Sequence, residues 1–271
     1  MRAAILLVGH ELLSGHTRDS NGHWMAGQLH RRGTPLDCIL TIDDTPVRIA
    51  AALVSLAKGG CDLILVSGGL GGTHDDTTLR GVALAMGVPL EVDPAILTMV
   101  ERHWRRGEAR RGRSDLSAEQ VQTYLRRMAT VPLGSIGLPN RVGIAAGIRV
   151  RVMGATVVCM PGVPSELQDI FADAIEPLLG NHPRPFLQEV RCVARESELF
   201  PHLDALVLAH PSVVVGSYPQ SGGIVTVRLE GAQAAVEAAA AQFLTALPPG
   251  TTAVTDLSAF GSVDPDRGPN A

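Results

Sequence analysis

The densest set of residues able to do chemistry is Ser67-Gly68-Gly69-Leu70-Gly71-Gly72-Thr73-His74-Asp75-Asp76-Thr77-Thr78. Its four glycines fall between a strand-like and a helix-like run. They let the backbone approach a ligand closely and turn N–H groups toward it. A helix starting at Thr73 adds a partial positive charge, which suits phosphate. The spacing is neither a Walker A loop, since no Lys follows, nor a G-x-G-x-x-G fingerprint. Taken alone, the stretch reads equally well as a tight turn with Thr73 and Asp76 as an N-cap pair. Asp75 and Asp76 stand where a phosphate would bind and would repel it unless a cation intervenes. That points to Mg²⁺ or a similar hard ion, although a helix-dipole role accounts for one of the two acids equally well.

Two more junctions have the same character. Met160-Pro161-Gly162-Val163-Pro164-Ser165-Glu166-Leu167 joins a strand to a helix, and Ser165 with Gln168 reads as a capping box. It is either a second anion site or a rigid Pro-Gly turn. Val8-Gly9-His10-Glu11-Leu12-Leu13-Ser14-Gly15 follows the first strand, with Asn21 beyond it, and Asp43 and Asp44 end the second. Asp44 or Thr45 would also serve as a plain helix cap. His16, His23 and His30 are seven apart and could share a helix face, but two turns separate neighbours by roughly 10 Å. Metal–nitrogen bonds are about 2 Å, so one ion does not bridge them. No Ser-x-x-Lys, Gly-x-Ser-x-Gly or Cys/His pairing supplies a covalent nucleophile.

The elements around these residues follow from apolar periodicity. Ala3–Val8 and Cys61–Val66 are continuous apolar runs, as in strands buried on both faces, and Leu36–Ile42 is a further strand. Helices are expected over Asp19–Arg32, Thr45–Lys58, Thr73–Met86, Asp93–Arg106, Ser117–Met128 and Ser165–Leu179. Ile49, Ala52, Leu53, Leu56 and Ala57 form a clear stripe on the second of these. Ile148–Met160 reads as a hairpin around Met153-Gly154-Ala155. The β-α-β-α-β-α order implies a parallel sheet with helices on both faces and ligands beyond the strands' carboxyl ends. After a linker at 180–185 the pattern becomes β-α-β-β-α-β, the split ferredoxin-like unit, with strands at Leu187–Ala194, Ser212–Tyr218 and Ile224–Leu229. The expected division is a ligand-binding domain over 1–180, a small domain over 185–255 and a disordered tail over 256–271.

Composition narrows the function. With 271 residues, 45% apolar, the chain suits a main domain plus a small one. Aromatics are 3% and net charge is −4, which argues against nucleic acid as a partner. Residues 102–113 are a local exception with six Arg, either a solvated helix end or an arm over a phosphorylated ligand. The four cysteines form no C-x-x-C pair and sit in apolar runs, as in a reducing compartment. No signal peptide or membrane-length apolar segment is visible, so a cytoplasmic protein with a small-molecule nucleotide ligand is expected.

At the three junctions, and at Pro139–Gly147, the sequence resembles the CinA (competence/damage-inducible) family. The first domain of that family belongs with the MogA/MoaB-like molybdopterin-binding proteins. The family's V-G-x-E-L-L-x-G corresponds to Val8–Gly15, G-G-L-G-x-T-x-D-D-x-T to Gly68–Thr78, P-N-x-x-G-x-A-x-G to Pro139–Gly147 and P-G-x-P-S-E-L to Pro161–Leu167. The resemblance implies a three-layer, mostly parallel α/β domain, a KH-like small domain carrying a Val215–Pro219 turn, and a homo-oligomer. It implies metal-dependent hydrolysis of ADP-ribose or a related dinucleotide to AMP and ribose 5-phosphate, with Mg²⁺ or Co²⁺, and potassium as a second candidate ion. Binding or adenylylation of molybdopterin, and nucleotide sensing without turnover, are the alternatives. On this reading Asp43 and Asp76 are catalytic, Asp75 and Asp76 hold metal, and Gly68, Gly69, Gly71, Gly72, Thr73, Glu11, Asn21, Asn140, Gly162, Ser165 and Glu166 bind the ligand. The chain departs from the family pattern at Asp19, Gly72, Ile144, Ala146 and Val163; at Ile144 a hydroxyl able to touch phosphate is gone. The chain ends where full-length CinA proteins carry a deamidase domain, so that activity is not expected of it.

Overall fold

The computed structural model describes residues 1–74, 76–112, 115–180, 185–248 and 250–254. The chain divides into two compact units, Met1–Pro183 and Arg184–Ala271. The expected tail over 256–271, and most of the expected linker, lie outside the described residues.

The first unit runs β1 (Ala3–Val8), α1 (His10–Leu13), α2 (Asn21–Arg31), β2 (Leu36–Ile42), α3 (Pro46–Lys58), β3 (Leu63–Ser67), α4 (Thr78–Met86), β4 (Leu90–Val92), α5 (Pro94–Arg111), α6 (Ala118–Met128), β5 (Thr130–Pro132), β6 (Ile136–Leu138), β7 (Gly147–Val152) and β8 (Ala155–Met160). It closes with α7 (Pro164–Ile170), a π-helical turn (Phe171–Ile175) and α8 (Glu176–Leu179). Six strands form one sheet in the order β2-β1-β3-β8-β7-β6. β2, β1, β3 and β8 are parallel, and β7 and β6 continue antiparallel. Strand alternation explains the unbroken apolar runs. Ala4, Leu6 and Val8 of β1 face one core with Ile49, Leu53 and Val82, while Ala3, Ile5 and Leu7 face a second core with Met25, Leu29 and Phe171. The β7–β8 hairpin turns on Met153 and Gly154, both at positive φ, as a two-residue hairpin loop requires.

The second unit runs β9 (Phe186–Val193), α9 (Glu196–Ala209), β10 (Val214–Gln220), β11 (Ile224–Gly231), α10 (Gln233–Thr245) and β12 (Thr252–Val254). Its antiparallel sheet has the order β10-β11-β9-β12, the strand order of the ferredoxin-like unit expected from the sequence. Val190, Cys192, Val227 and Leu229 bury against Leu199, Leu206, Val236 and Phe243.

Several elements differ from expectation. The helix expected from Thr73 begins at Thr78. The helix expected from Ser165 is capped at Val163, with no side-chain cap bond, and passes through the π turn; the Ser165–Gln168 capping box does not form. The box forms at Ser117–Gln120 instead, and Asp93 caps α5 by accepting from the N–H groups of Ala95 and Ile96. Asp19 accepts from the Gly22 N–H at 2.8 Å, so α2 starts too late for His16 to share a face with His23 and His30. The Val215–Pro219 turn is part of the strand β10. Helix α1 and the short strands β4, β5 and β6 have too few residues to show periodicity. Among the described residues no helix is long and apolar enough to cross a membrane.

Phe171 is fully buried and meets the Trp24 ring edge-on at 5.1 Å between centroids. Phe171→Ala empties the second core at its largest side chain and lowers the unfolding free energy by about 3–5 kcal/mol, measured by urea titration; a loss under about 1 kcal/mol, the range of surface substitutions, contradicts this packing.

Candidate functional site

The loops after β1, β3 and β8 meet at the sheet's carboxyl edge. Gly68 donates to the Met160 carbonyl at 3.0 Å and adopts φ +105°, and a Cβ there would lie 2.1 Å from the Val8 carbonyl oxygen. Only glycine fits both the φ and the close approach. Asn21 Nδ2 donates to Ser67 Oγ at 3.0 Å and to the Gly162 carbonyl at 2.8 Å. One side chain from α2 thus ties the β3 and β8 loops together.

The glycine loop is organised around Asp76. Its carboxylate accepts from the N–H groups of Gly71 at 2.7 Å and Thr73 at 2.9 Å, and from the Thr73 hydroxyl. This is why α4 starts late: the N–H groups that a helix from Thr73 would leave pointing outward bind an internal anion, and the chain closes into a turn. Two of the N–H groups expected to hold phosphate are therefore already bonded. Thr78 then donates its hydroxyl to the Gly68 carbonyl at 2.8 Å. Thr77 donates to the Asp44 carbonyl, and the Asp44 carboxylate accepts from the His10 N–H at 2.9 Å.

The remaining predicted residues fall into distinct places. Gly69, Gly71, Thr73 and Asp76 line one cleft of about 300 Å³. Glu11, Asn21, Gly68 and Gly162 line another of about 140 Å³. Asp43 lines neither; Arg48 grips its carboxylate at 2.5 Å and, with the Thr45 N–H, holds its pKa below the usual carboxylate value. Ser165 is exposed. Asp75 lies outside the described residues. Among those described, no three His, Cys, Asp or Glu side chains gather as a metal ion would need, and both Asp76 oxygens already face backbone donors.

Asn140 and Glu166 form their own cluster. Asn140 is 2% exposed. It donates to the Ala145 carbonyl at 2.8 Å and to Glu166 Oε2 at 2.6 Å, and accepts from the N–H groups of Val142 at 3.0 Å and Gly143 at 2.8 Å. All its hydrogen-bonding capacity is used inside the protein, which makes it the pin of the 139–147 loop. A Cβ on Gly143 would lie 2.0 Å from the Glu166 carboxyl carbon, so a side chain there would displace that carboxylate. Ala146 is buried and Ile144 packs on the first core; the two departures from the family pattern serve packing. Burial pushes the Glu166 carboxyl above its ordinary pKa, with hydrogen bonds from Asn140 and the Ala145 backbone partly opposing.

Three cleft residues escaped the sequence reading. Arg80 of α4 and Arg127 of α6 line the 300 Å³ cleft beside Gly71 and Asp76. Among the described residues neither guanidinium makes an ion pair or a side-chain hydrogen bond. The Tyr124 ring packs on Gly72, where a Cβ would lie 2.6 Å from Tyr124 Cε2, and against Trp104 at 5.8 Å between centroids. Burial raises the Tyr124 hydroxyl's pKa, and the Asp76 and Glu166 carboxylates raise it further. The available signal was the i, i+4, i+7 spacing of Gln120, Tyr124 and Arg127 on one face of α6. The arginine-rich stretch drew notice instead, yet Arg102, Arg105 and Arg106 line neither cleft.

Residues 4–181 match the family described as the probable molybdopterin binding domain. The chain belongs to that family. Residues 184–256 match the FAD synthase middle domain, which replaces the KH-like expectation for the second unit. A protein of Aeropyrum pernix is 36% identical over 255 residues, 91% of each chain. A CinA-like protein of Mycolicibacterium gilvum is 40% identical over 174 residues, covering 64% of this chain and 40% of that protein. The crystal structure of CinA from Thermoplasma acidophilum, 28% identical, aligns with a TM-score of 0.57 over 66% of this chain and 99% of its own. The CinA-like resemblance and the MogA/MoaB-like α/β fold of this family thus hold for the first unit.

The raised Glu166 carboxyl has a stability consequence. Its folded-state pKa lies above the unfolded value, so its contribution is fully present below the ordinary carboxylate range and is lost as pH rises through the raised value. Glu166→Gln keeps an acceptor for Asn140 and removes that loss. Urea unfolding across a pH series is expected to show the variant gaining on the native protein as pH rises; parallel curves would contradict the assignment.

Proposed function

We propose that the cleft beside the glycine loop binds a phosphorylated small molecule of the molybdopterin or nucleotide class. The observation that carries this reading is the pair Arg80 and Arg127, two guanidiniums with no ion-pair partner among the described residues, lining the cleft of the loop that Asp76 organises. Guanidinium groups match phosphate geometry and form charge-assisted hydrogen bonds. Membership of a molybdopterin-binding domain family supports the pterin-phosphate form of the ligand. The role first given to the Ser165 helix passes to these arginines.

Hydrolysis of an ADP-ribose-like pyrophosphate is the second reading. It is favoured by the CinA-like relatives of the first unit, and Glu166, a partly buried carboxylate that accepts from Asn140, is the proton carrier this reading would use. Incubation with ADP-ribose and Mg²⁺ or Co²⁺ is expected to release AMP, and Glu166→Gln to abolish the release; no AMP, or full release by the variant, rejects turnover.

Binding itself is tested by calorimetric titration with inorganic pyrophosphate. Arg80→Ala and Arg127→Ala are each expected to weaken it by about tenfold or more, the loss of a hydrogen bond to a charged group. Unchanged affinity in the double variant would sink the assignment.

A further inference from the structure

The sheet of the first unit is incomplete at its antiparallel end. β7 pairs with β8 from Ile148 to Val152, but on its other side β6 covers only Gly147–Arg149. The chain ahead of β6 turns away: the Ser135 N–H donates to the Pro132 carbonyl at 3.1 Å, and Gly134 adopts φ +83°. Val150–Val152, about 10 Å of strand, therefore has a ladder on one side only among the described residues. An uncovered edge is a template for pairing with another chain. A cleft of about 440 Å³ lies at this edge and shares no lining residue with the two clefts of the glycine loop. Its apolar walls include Leu133, Ile136 and Leu178, which are 44%, 51% and 42% exposed; exposed apolar side chains gathered beside polar ones mark an interaction surface.

The charges at the edge select what pairs with it. Arg149 and Arg151 line the cleft and, two apart on a strand, share one face of the sheet, while Val150 between them faces the first core. Among the described residues neither makes an ion pair, and Arg151 donates only to the Thr156 hydroxyl, at 2.8 Å. Two copies of this edge laid together would set arginine against arginine, and like charges across a ladder destabilise it. The edge thus disfavours its own copy and favours an acidic strand.

We infer that the free edge of β7 docks an extended peptide of a partner protein in which acidic and apolar residues alternate. Residues across a ladder share a face. The peptide's acidic side chains, two apart, then fall beside Arg149 and Arg151, and the apolar one between them falls on the side of Val150 and Met86, which pack on the first core. Main-chain pairing supplies affinity and the alternate side chains supply register. The site is independent of the phosphate cleft, so either stands without the other.

The full chain is titrated by fluorescence anisotropy with three labelled short peptides: alternating Glu and Val, alternating Lys and Val, and the Glu-Val peptide with its backbone nitrogens methylated. The Glu-Val peptide is expected to bind at least about tenfold more tightly than either of the others, the worth of a charge-assisted contact or of the lost ladder bonds. The double variant Arg149→Glu/Arg151→Glu, shown to be folded by circular dichroism, is expected to reverse the preference toward Lys-Val. No binding of the Glu-Val peptide, affinity unchanged by backbone methylation, or a preference that survives the charge reversal overturns the assignment. Sedimentation velocity of the native chain is the remaining check: a dimer that the double variant dissolves would mean that a second copy covers this edge, and the peptide site falls.

Discussion

The first unit is built around one close approach, that of Gly68 to the carbonyl of Val8. A side chain at position 68 would occupy the space of that carbonyl. With the bend made, the chain leaving β3 turns over the sheet edge instead of running straight on. Gly69, also at positive φ, continues the turn and lets Thr78 reach back to the Gly68 carbonyl. The loops from β1 and β8 then lie near enough for Asn21 to bond Ser67 and Gly162 together. Geometry at this edge is set by backbone packed on backbone, which leaves little freedom for the groups it carries.

Within that frame, Asp76 decides what the loop presents to solvent. A helix N-terminus and a glycine loop both offer N–H donors, and an internal carboxylate competes for them with any external anion. Asp76 takes the donors of Gly71 and Thr73, so the exposed positive charge of the cleft comes from Arg80 and Arg127. The chain carries a net charge of −4; the local sign of the cleft is therefore a matter of placement, not of composition.

Asn140 and Glu166 do for the 139–147 segment what Asp76 does for the glycine loop. A buried amide with every donor and acceptor met fixes the 139–147 segment, and the price of holding Glu166 out of water shows as its raised carboxyl. The second unit carries its own core and antiparallel sheet, as its separate match to a FAD synthase middle domain reflects.

Much of the fold was legible in the sequence because burial is periodic. β2 spans Leu36–Ile42 as read, Ile49, Leu53 and Leu56 form the buried stripe of α3, and the strand order of the small domain follows from its β-α-β-β-α-β pattern. The four motifs that carry the family resemblance were equally plain. What the sequence could not decide is where polar groups find their partners. Thr73 looked like a helix start until Asp76 was seen to bond back to it, and Ser165 looked like a cap that the packing of α7 does not use. Arg127 and Tyr124 share one face of α6, and only the tertiary structure lays that helix against Gly72. Periodicity is a local property, written in neighbouring residues, so the sequence by itself determined the elements and their order. The site depends on contacts such as Asn21 with Gly162, separated by 141 residues, and only the folded chain brings those partners within hydrogen-bond reach.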